Sequence, residues 1–460
     1  MNPERIPAVP KYIVTERIAD VPPGHRFSHY FSLCEPGSWK LPSKDKREAL
    51  AQVAGPLSGV TADMVEQLAA RQYATAAMSG SHTIAFTAQL SSPLVTGMGE
   101  EHPCENGFAF SLPHGLPVLR GSGIKGVLRR AAEELALFEL DSKGWNMVAV
   151  WLLFGFDATS SCFAQDDTGE PAGAWANLYR YHIDNGLSDE QARSFLDLCA
   201  ASSSDVRDDA RMGDWQQAPA CFMADLAGRQ SKALRGSIHY RGGLDCWDLY
   251  PVPRQKGAAL LFVDVLTPHQ ADYLQKGTQT PHDSGTPVPC PFLAVEPGST
   301  AGVFAQLKPL ATTPGWLLDS WRDLVGAAFD YAGSELGFGA KTAVGYGRMA
   351  RDQQAEERRA KKTEQQAKER AAEARRAEMS PLDRDIEDIG SGNPDNPALA
   401  LLTALNEGKW EDPAEKAEVA TRALELLERW RETAKLKKMA KQKYEKRKAA
   451  LEKFAAGNDD

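Results

Sequence analysis

Two glycine-and-lysine segments, far apart in the chain, could do chemistry together, and that chemistry is phosphate binding. The first is Gly121-Ser122-Gly123-Ile124-Lys125-Gly126, which follows the apolar run Leu116-Pro117-Val118-Leu119. The second begins Gly337-Phe338-Gly339-Ala340-Lys341-Thr342 and ends Gly345-Tyr346-Gly347-Arg348. Glycine lets a backbone approach a phosphate closely, and a lysine in the same loop neutralises it. A strand, then such a loop, then a helix N-terminus makes an anion site. The phosphate would belong either to a nucleotide cofactor or to an RNA backbone.

The cofactor reading meets specific obstacles. The first segment spells G-x-G-x-x-G, but no clean second strand ending in an acid follows it. The next apolar run, Ala149-Val150-Trp151-Leu152-Leu153-Phe154, ends on Gly155 instead. The second segment carries Lys-Thr as a P-loop does, yet Ala340 stands where the P-loop needs glycine. No cofactor is therefore expected, and the residues alone leave either an RNA-backbone site or two ordinary tight turns. The expected contact set is Arg120, Gly121, Ser122, Gly123, Lys125, Gly126 and Arg129 at the first segment. At the second it is Gly339, Lys341, Thr342, Tyr346 and Arg348. Arg120, Lys125, Arg129 and Arg130 would line a phosphate track, although Arg129 and Arg130 could equally solvate a helix face. Tyr346 would stack on a base or ribose, or else pack with its hydroxyl bonded.

Acid–base residues form a second group. Glu100, Glu101, His102 and Glu105 cluster just before the first segment, and His269 and His282 sit in Thr-Pro-His contexts. Metal-independent RNA cleavage needs the 2′-hydroxyl deprotonated and the phosphorane charge stabilised. A carboxylate beside a histidine could do the first. Acids alone, however, repel the phosphate they would act on. The favoured reading makes His102 and Glu105 structural and the chain no enzyme, with an endoribonuclease using the Glu100–Glu105 loop as the alternative. His102 and Cys104 lack a second ligand pair at zinc spacing, so no metal is expected.

Composition bounds these readings. The chain has 460 residues, 42% of them hydrophobic, enough for a sizeable core. Its net charge of −9 argues against indiscriminate coating of nucleic acid but leaves room for cations placed along a groove. Seven scattered cysteines without a C-x-x-C pair point to a reducing cytoplasm. Residues 1–10 lack the apolar core of a signal peptide, and no run reaches the ~18 apolar residues of a membrane span.

The elements that must position the segments follow from pattern. Residues 1–80 start as proline-rich extended chain and then hold helices near 43–54 and 61–77, with Ser43 and Thr61 as N-caps. Strands are expected over 81–90, 116–119, 258–265 and 301–307, and helices over 124–140 and 316–332. Residues 157–235, polar and mixed with one helix near 188–199, read as an insertion. Residues 351–379, nearly all Ala, Glu, Gln, Lys and Arg, read as a solvated helix before a linker near 390–397. A short helix over 398–405 and a long one from about Pro413 to Ala455 complete the chain. Val419, Ala423, Leu424, Leu427, Trp430 and Ala434 share a face of the long helix that suits docking of a protein. The run 435–448 holds eight cations and one acid, Glu445.

Further motifs stand in a fixed order. Leu94-Val95-Thr96-Gly97-Met98-Gly99-Glu100-Glu101-His102-Pro103-Cys104-Glu105-Asn106-Gly107-Phe108 precedes the first segment. Asp264-Val265-Leu266-Thr267-Pro268-His269, Thr280-Pro281-His282-Asp283 and Pro287-Val288-Pro289-Cys290-Pro291 precede the second. Taken with the two segments, they resemble the RAMP superfamily of CRISPR-associated proteins over about residues 80–350. More narrowly, they resemble the sixth-subunit family of the Cmr-type (type III-B) effector complex. One departure is Arg120, where that family usually has proline. The resemblance implies an α+β fold with a ferredoxin-like, RRM-like RAMP core. The expected divisions are 1–80, the core 81–350 with its insertion, a charged helix and linker 351–396, and a helical extension 397–460. It also implies a guide-RNA-binding subunit that caps the helical backbone near the guide 3′ end, in antiviral defence. Its partners would be CRISPR guide RNA, through it target RNA, and other RAMP and Cmr-type subunits, with no membrane. No RNP-type run of paired aromatics is visible, so backbone recognition is expected over base recognition.

Overall fold

The computed structural model describes residues 18–31, 46–138, 141–158, 177–178, 180–183, 186–228, 232–267, 273, 289–393, 396–433 and 438–457. The chain divides into two compact units, residues 1–356 and 357–460. Among the described residues, no helix is long and apolar enough to cross a membrane.

The first unit is a mixed α+β body around an antiparallel sheet. Strand β1 (Thr83–Leu90) pairs with β8 (Thr300–Leu307), with Phe86 opposite Val303 and Thr87 opposite Gly302. The sheet order is β4 (Leu244–Cys246), β8, β1, β9 (Met349–Arg351), and β5 (Pro251–Val252) also pairs with β8. Two small two-stranded antiparallel sheets stand apart, β2 (Phe110–Ser111) with β3 (Leu116–Pro117), and β6 (Leu261–Leu266) with β7 (Cys290–Val295).

Side chains alternate across a strand, so β1 serves two layers. Phe86 meets Phe329 edge-on at 4.6 Å. Phe329 lies on α6 (Gly315–Tyr331), which packs with α4 (Gly121–Leu137). On the opposite face, helix α3 (Gly59–Met78) lies across β1 and β8. Its Tyr73 hydroxyl is 2.8 Å from Thr87 Oγ1, and its ring meets Phe304 edge-on at 4.8 Å. Gln72 donates to the carbonyl of Asp248 at 2.7 Å. A sheet face that could have stacked bases is thus packed under protein. Ser58, not Thr61, caps α3, accepting the Thr61 amide at 3.3 Å. Ser43 lies outside the described residues. The first helices, α1 (Pro23–Ser28) and α2 (Lys46–Val53), also belong to this body, with Leu50 and Val53 in its core.

The run ending at Gly155 forms helix α5 (Met147–Phe154), all eight of its residues buried. Asn146 caps it, accepting the Ala149 amide at 3.0 Å. The polar insertion also contributes to the core. Its helices Asp189–Ser202 and Pro219–Ala227 bury Phe195 and Phe222 fully, and Phe195 packs on Trp151 of α5 at 4.8 Å.

The second unit has its own core. The expected long helix is two, Pro413–Thr433 and Lys438–Ala455, packed on Pro397–Asn406 and on each other. Val419, Ala423 and Leu427 are fully buried with Leu401, Tyr444 and Leu451. The face expected to dock a protein is therefore used within the unit. The Trp430 side chain and Ala434 lie outside the described residues. Helix Gln353–Glu378 is solvated over most of its length, although near its start Glu356 accepts the Thr87 amide at 2.9 Å, and Ser380 with Pro381 starts the next helix as cap and first residue.

If the insertion is part of the core, Phe195→Ala should lower the unfolding free energy by about 3–5 kcal/mol. Chemical denaturation followed by tryptophan fluorescence checks this, and a change below about 1 kcal/mol would make the insertion peripheral.

Candidate functional site

The first glycine segment is not a loop ahead of a helix but the first turn and a half of α4, which begins at Gly121. Gly121 is required by packing: a Cβ there would stand 2.0 Å from the carbonyl oxygen of Cys246. Its amide donates to Asp248 Oδ1 at 2.7 Å, so a carboxylate of the chain already occupies the first anion position. The next glycines differ. A Cβ on Gly126 would meet nothing within 4 Å, and one on Gly123 only Leu119 Cδ1 at 3.9 Å. Ser122, Gly123 and Gly126 are exposed. Packing does not require these two glycines, which leave a bare patch of helix backbone beside Ser122.

The cations around this turn are held by the protein. Lys125 is half-buried and donates to the Arg241 carbonyl at 3.4 Å, and burial lowers its pKa. Arg129 pairs with Glu133 at 2.9 Å and Arg130 with Glu134 at 2.7 Å, both one helical turn on. Arg120 reaches Glu100 at 3.7 Å, with both side chains about half exposed. Of the four cations of the expected phosphate track, Arg120, Arg129 and Arg130 thus start out paired with carboxylates and Lys125 is bonded to a backbone carbonyl. The exposed pair Arg120–Glu100 is the one most easily exchanged for a phosphate.

The second segment folds back on itself. Phe338 N–H donates to the Gly347 carbonyl at 2.9 Å, Gly347 N–H to Pro93 at 2.7 Å, and Ala340 N–H to Val95 at 2.7 Å. At Gly347, φ is +75° and a Cβ would lie 1.8 Å from the Phe338 oxygen, so no other residue fits. Lys341 adopts a left-handed φ of +61° and opens a 3-10 turn, Thr342–Val344, whose Val344 is 70% exposed. The Lys341 ammonium lies 4.8 Å from the Phe292 ring and 5.9 Å from the Tyr346 ring. Tyr346 takes the packed alternative: its hydroxyl donates to Asp264 Oδ2, and burial first, then Asp264, pushes its pKa up to about 12. Thr342 is half-buried, and Gly339 and Arg348 are exposed.

The 94–107 segment links the two places. Leu94 bridges Val295 and Val95 bridges Ala340 at the second, while Glu100 meets Arg120 at the first. Within it, His102 is fully engaged. Its Nδ1 accepts the Cys104 amide at 3.2 Å, which leaves the proton on Nε2 to donate to the Phe27 carbonyl at 3.1 Å. The ring stacks on Phe27 at 3.6 Å, and burial lowers its pKa. Glu105 pairs with Lys46 at 2.6 Å. These contacts are those of a loop anchor. His269 and His282 lie outside the described residues. No group of three or more His, Cys, Asp or Glu among the described residues could hold a metal ion. Sequence reasoning missed Asp248, which nothing near it marks, and Asp264, whose motif pointed to it without revealing Tyr346 as its partner.

The body is a mixed α+β fold with an antiparallel sheet. Residues 87–350 match the RAMP superfamily, and the chain belongs to it. Among solved structures it is similar to a chain of the type III-B Cmr-beta complex bound to cognate target RNA, at 14% identity and TM-score 0.37, covering 67% of this chain and 71% of that one. It is also similar to Cmr6 from Pyrococcus furiosus, at 20% identity and TM-score 0.27, covering 59% of this chain and 99% of that one. No curated protein matches the chain.

Two outcomes follow. Gly121→Ala should destabilise the chain by more than about 2 kcal/mol through its backbone clash, whereas Gly126→Ala should stabilise it by about 0.5–1 kcal/mol. Equal effects in thermal unfolding would contradict the distinction between packed and bare glycines. His102, with its folded pKa below the usual 6.5, takes up its proton later than the unfolded chain does. Its contribution is present above pH 6.5 and is lost as pH falls from there toward the folded value. The Tm gap between the parent and His102→Gln should therefore shrink between pH 7.5 and 5.5, and a constant gap would mean that the ring is not held neutral.

Proposed function

We propose that the chain is a non-catalytic guide-RNA-binding subunit of a type III, Cmr-type CRISPR ribonucleoprotein, acting in the cytoplasm in antiviral defence. It caps the helical backbone of related subunits near the guide 3′ end. Its partners are guide RNA, target RNA through the guide, and other RAMP and Cmr-type subunits. A ferredoxin-like core is supported by β1, α4, β4, β8, α6 and β9, which stand in the chain order β-α-β-β-α-β with other elements between them, and by the sheet order β4-β8-β1-β9.

The observation that carries the reading is the bare turn at Ser122, Gly123 and Gly126, in a chain of the RAMP superfamily. Glycine inside a helix costs about 0.5–1 kcal/mol, and packing gives no return at Gly126. A phosphodiester lying on that turn gives one, because it needs close access to backbone and the positive helix end. Lys125 lies on the same turn, and Lys341 and the exposed Gly339 supply the second contact. Helix α3 over the sheet supports recognition of backbone rather than stacked bases. Both ring nitrogens of His102 are engaged, which supports the non-catalytic reading over an endoribonuclease.

Lys125→Glu and Lys341→Glu should each weaken guide-RNA binding and lower the salt slope by about one unit. Fluorescence anisotropy across a salt series checks both. If both variants bind as the parent does, the glycine turns are not the RNA contact. RNA cut by the isolated chain in EDTA, and spared after His102→Ala, would replace the reading with the endoribonuclease.

A further inference from the structure

The second unit lies outside the family match, and its charge is segregated. Residues 379–433 hold thirteen acids and six cations, while the last helix, 438–455, holds seven cations and two acids. Within that helix, Tyr444 and Leu451 face the core and are buried. Lys448, at the edge of this face, reaches Glu428 at 3.7 Å and Glu452 at 3.9 Å. Lys441, Lys443, Lys446 and Lys453 are exposed, and no ion pair is formed by them among the described residues.

The spacing is the informative part. Lys443, Lys446 and Arg447 stand at i, i+3 and i+4, and Lys453 lies two turns beyond Lys446. Like charges at those spacings oppose the helix by about 0.2–0.5 kcal/mol per pair. A helix that needs only solubility mixes its signs. Helix Gln353–Glu378 of the same chain does so, pairing Lys368 with Glu364 at 2.7 Å. Between the last helix's cations stand Ala449 and Ala450, which leave room for close approach. The stripe is thus a concentrated cationic strip in an acidic protein, and among the described residues it pairs with no acid of the neighbouring helices.

We infer that the stripe Lys443, Lys446, Arg447 and Lys453 is a second RNA-backbone contact, one that no family motif supplies. It is sequence-independent, because lysine offers a point charge and not a fixed fork. That the phosphate belongs to RNA rests on the function proposed above. The stripe adds a contact outside the RAMP core.

The test uses the full chain and a labelled single-stranded RNA long enough to reach beyond the core. The triple variant Lys443→Gln/Lys446→Gln/Lys453→Gln keeps helix propensity at exposed positions. It should lower the salt slope by about two units and weaken binding at least about tenfold near 0.1 M salt. Lys341→Glu serves as the core control. Unchanged affinity and slope in the triple variant, with loss in Lys341→Glu, overturns the stripe and leaves the core reading intact. Loss in the triple variant with none in Lys341→Glu supports the stripe and overturns the core contact. Retained RNA binding with loss of co-purifying protein subunits also overturns the inference and makes the stripe a protein surface.

Discussion

The packing of α3 on the β1–β8 pair is the constraint on which the rest depends. Tyr73 and Gln72 hold that helix against one sheet face while Phe86 and Phe329 close the other. Each layer buries apolar surface worth about 25 cal/mol per Å², so neither is readily lifted. With both faces occupied, the proposed ligand contacts fall on the glycine turns off the sheet faces, and the 94–107 segment, anchored by His102 on Phe27, joins those turns.

The two glycine segments reach similar composition by different physics. In the second, Gly347 is fixed by a backbone contact, and Lys341 is steadied over two aromatic rings. That segment is a rigid turn whose tip projects. In the first, Gly121 is fixed by Cys246 and Asp248, while Gly123 and Gly126 are open to solvent. The paired cations around it carry no large unmet charge in the free state. Exchanging Glu100 for a phosphate at Arg120 costs little, because both partners are about half exposed.

Much of this was legible in the sequence. Strands β1 and β8 and helix α6 follow their apolar periodicity to within two residues. The start of α4 is not legible because glycine reads as loop, whereas Gly121 and Gly126 are helical. Helix α5 was not recognised because a short apolar run has no period that separates strand from helix. The break between Pro413–Thr433 and Lys438–Ala455 carries no glycine or proline to mark it. The partners that decide side-chain roles lie far away in sequence: Asp248 for Gly121, Asp264 for Tyr346 and Phe27 for His102. No local pattern encodes such pairs, and at Tyr346 it is Asp264 that selects the packed alternative over the stacking one.

The central claim is that RNA lies on the glycine turns at the sheet ends and not on the sheet. Photo-crosslinking of bound guide RNA to the full chain, with the attached peptides identified by mass spectrometry, tests it most directly. The account predicts crosslinks within residues 120–130 and 339–348. Crosslinks confined to β1 and β8, at Phe304 and its neighbours, would mean that α3 gives way and the sheet face binds RNA, and would contradict it.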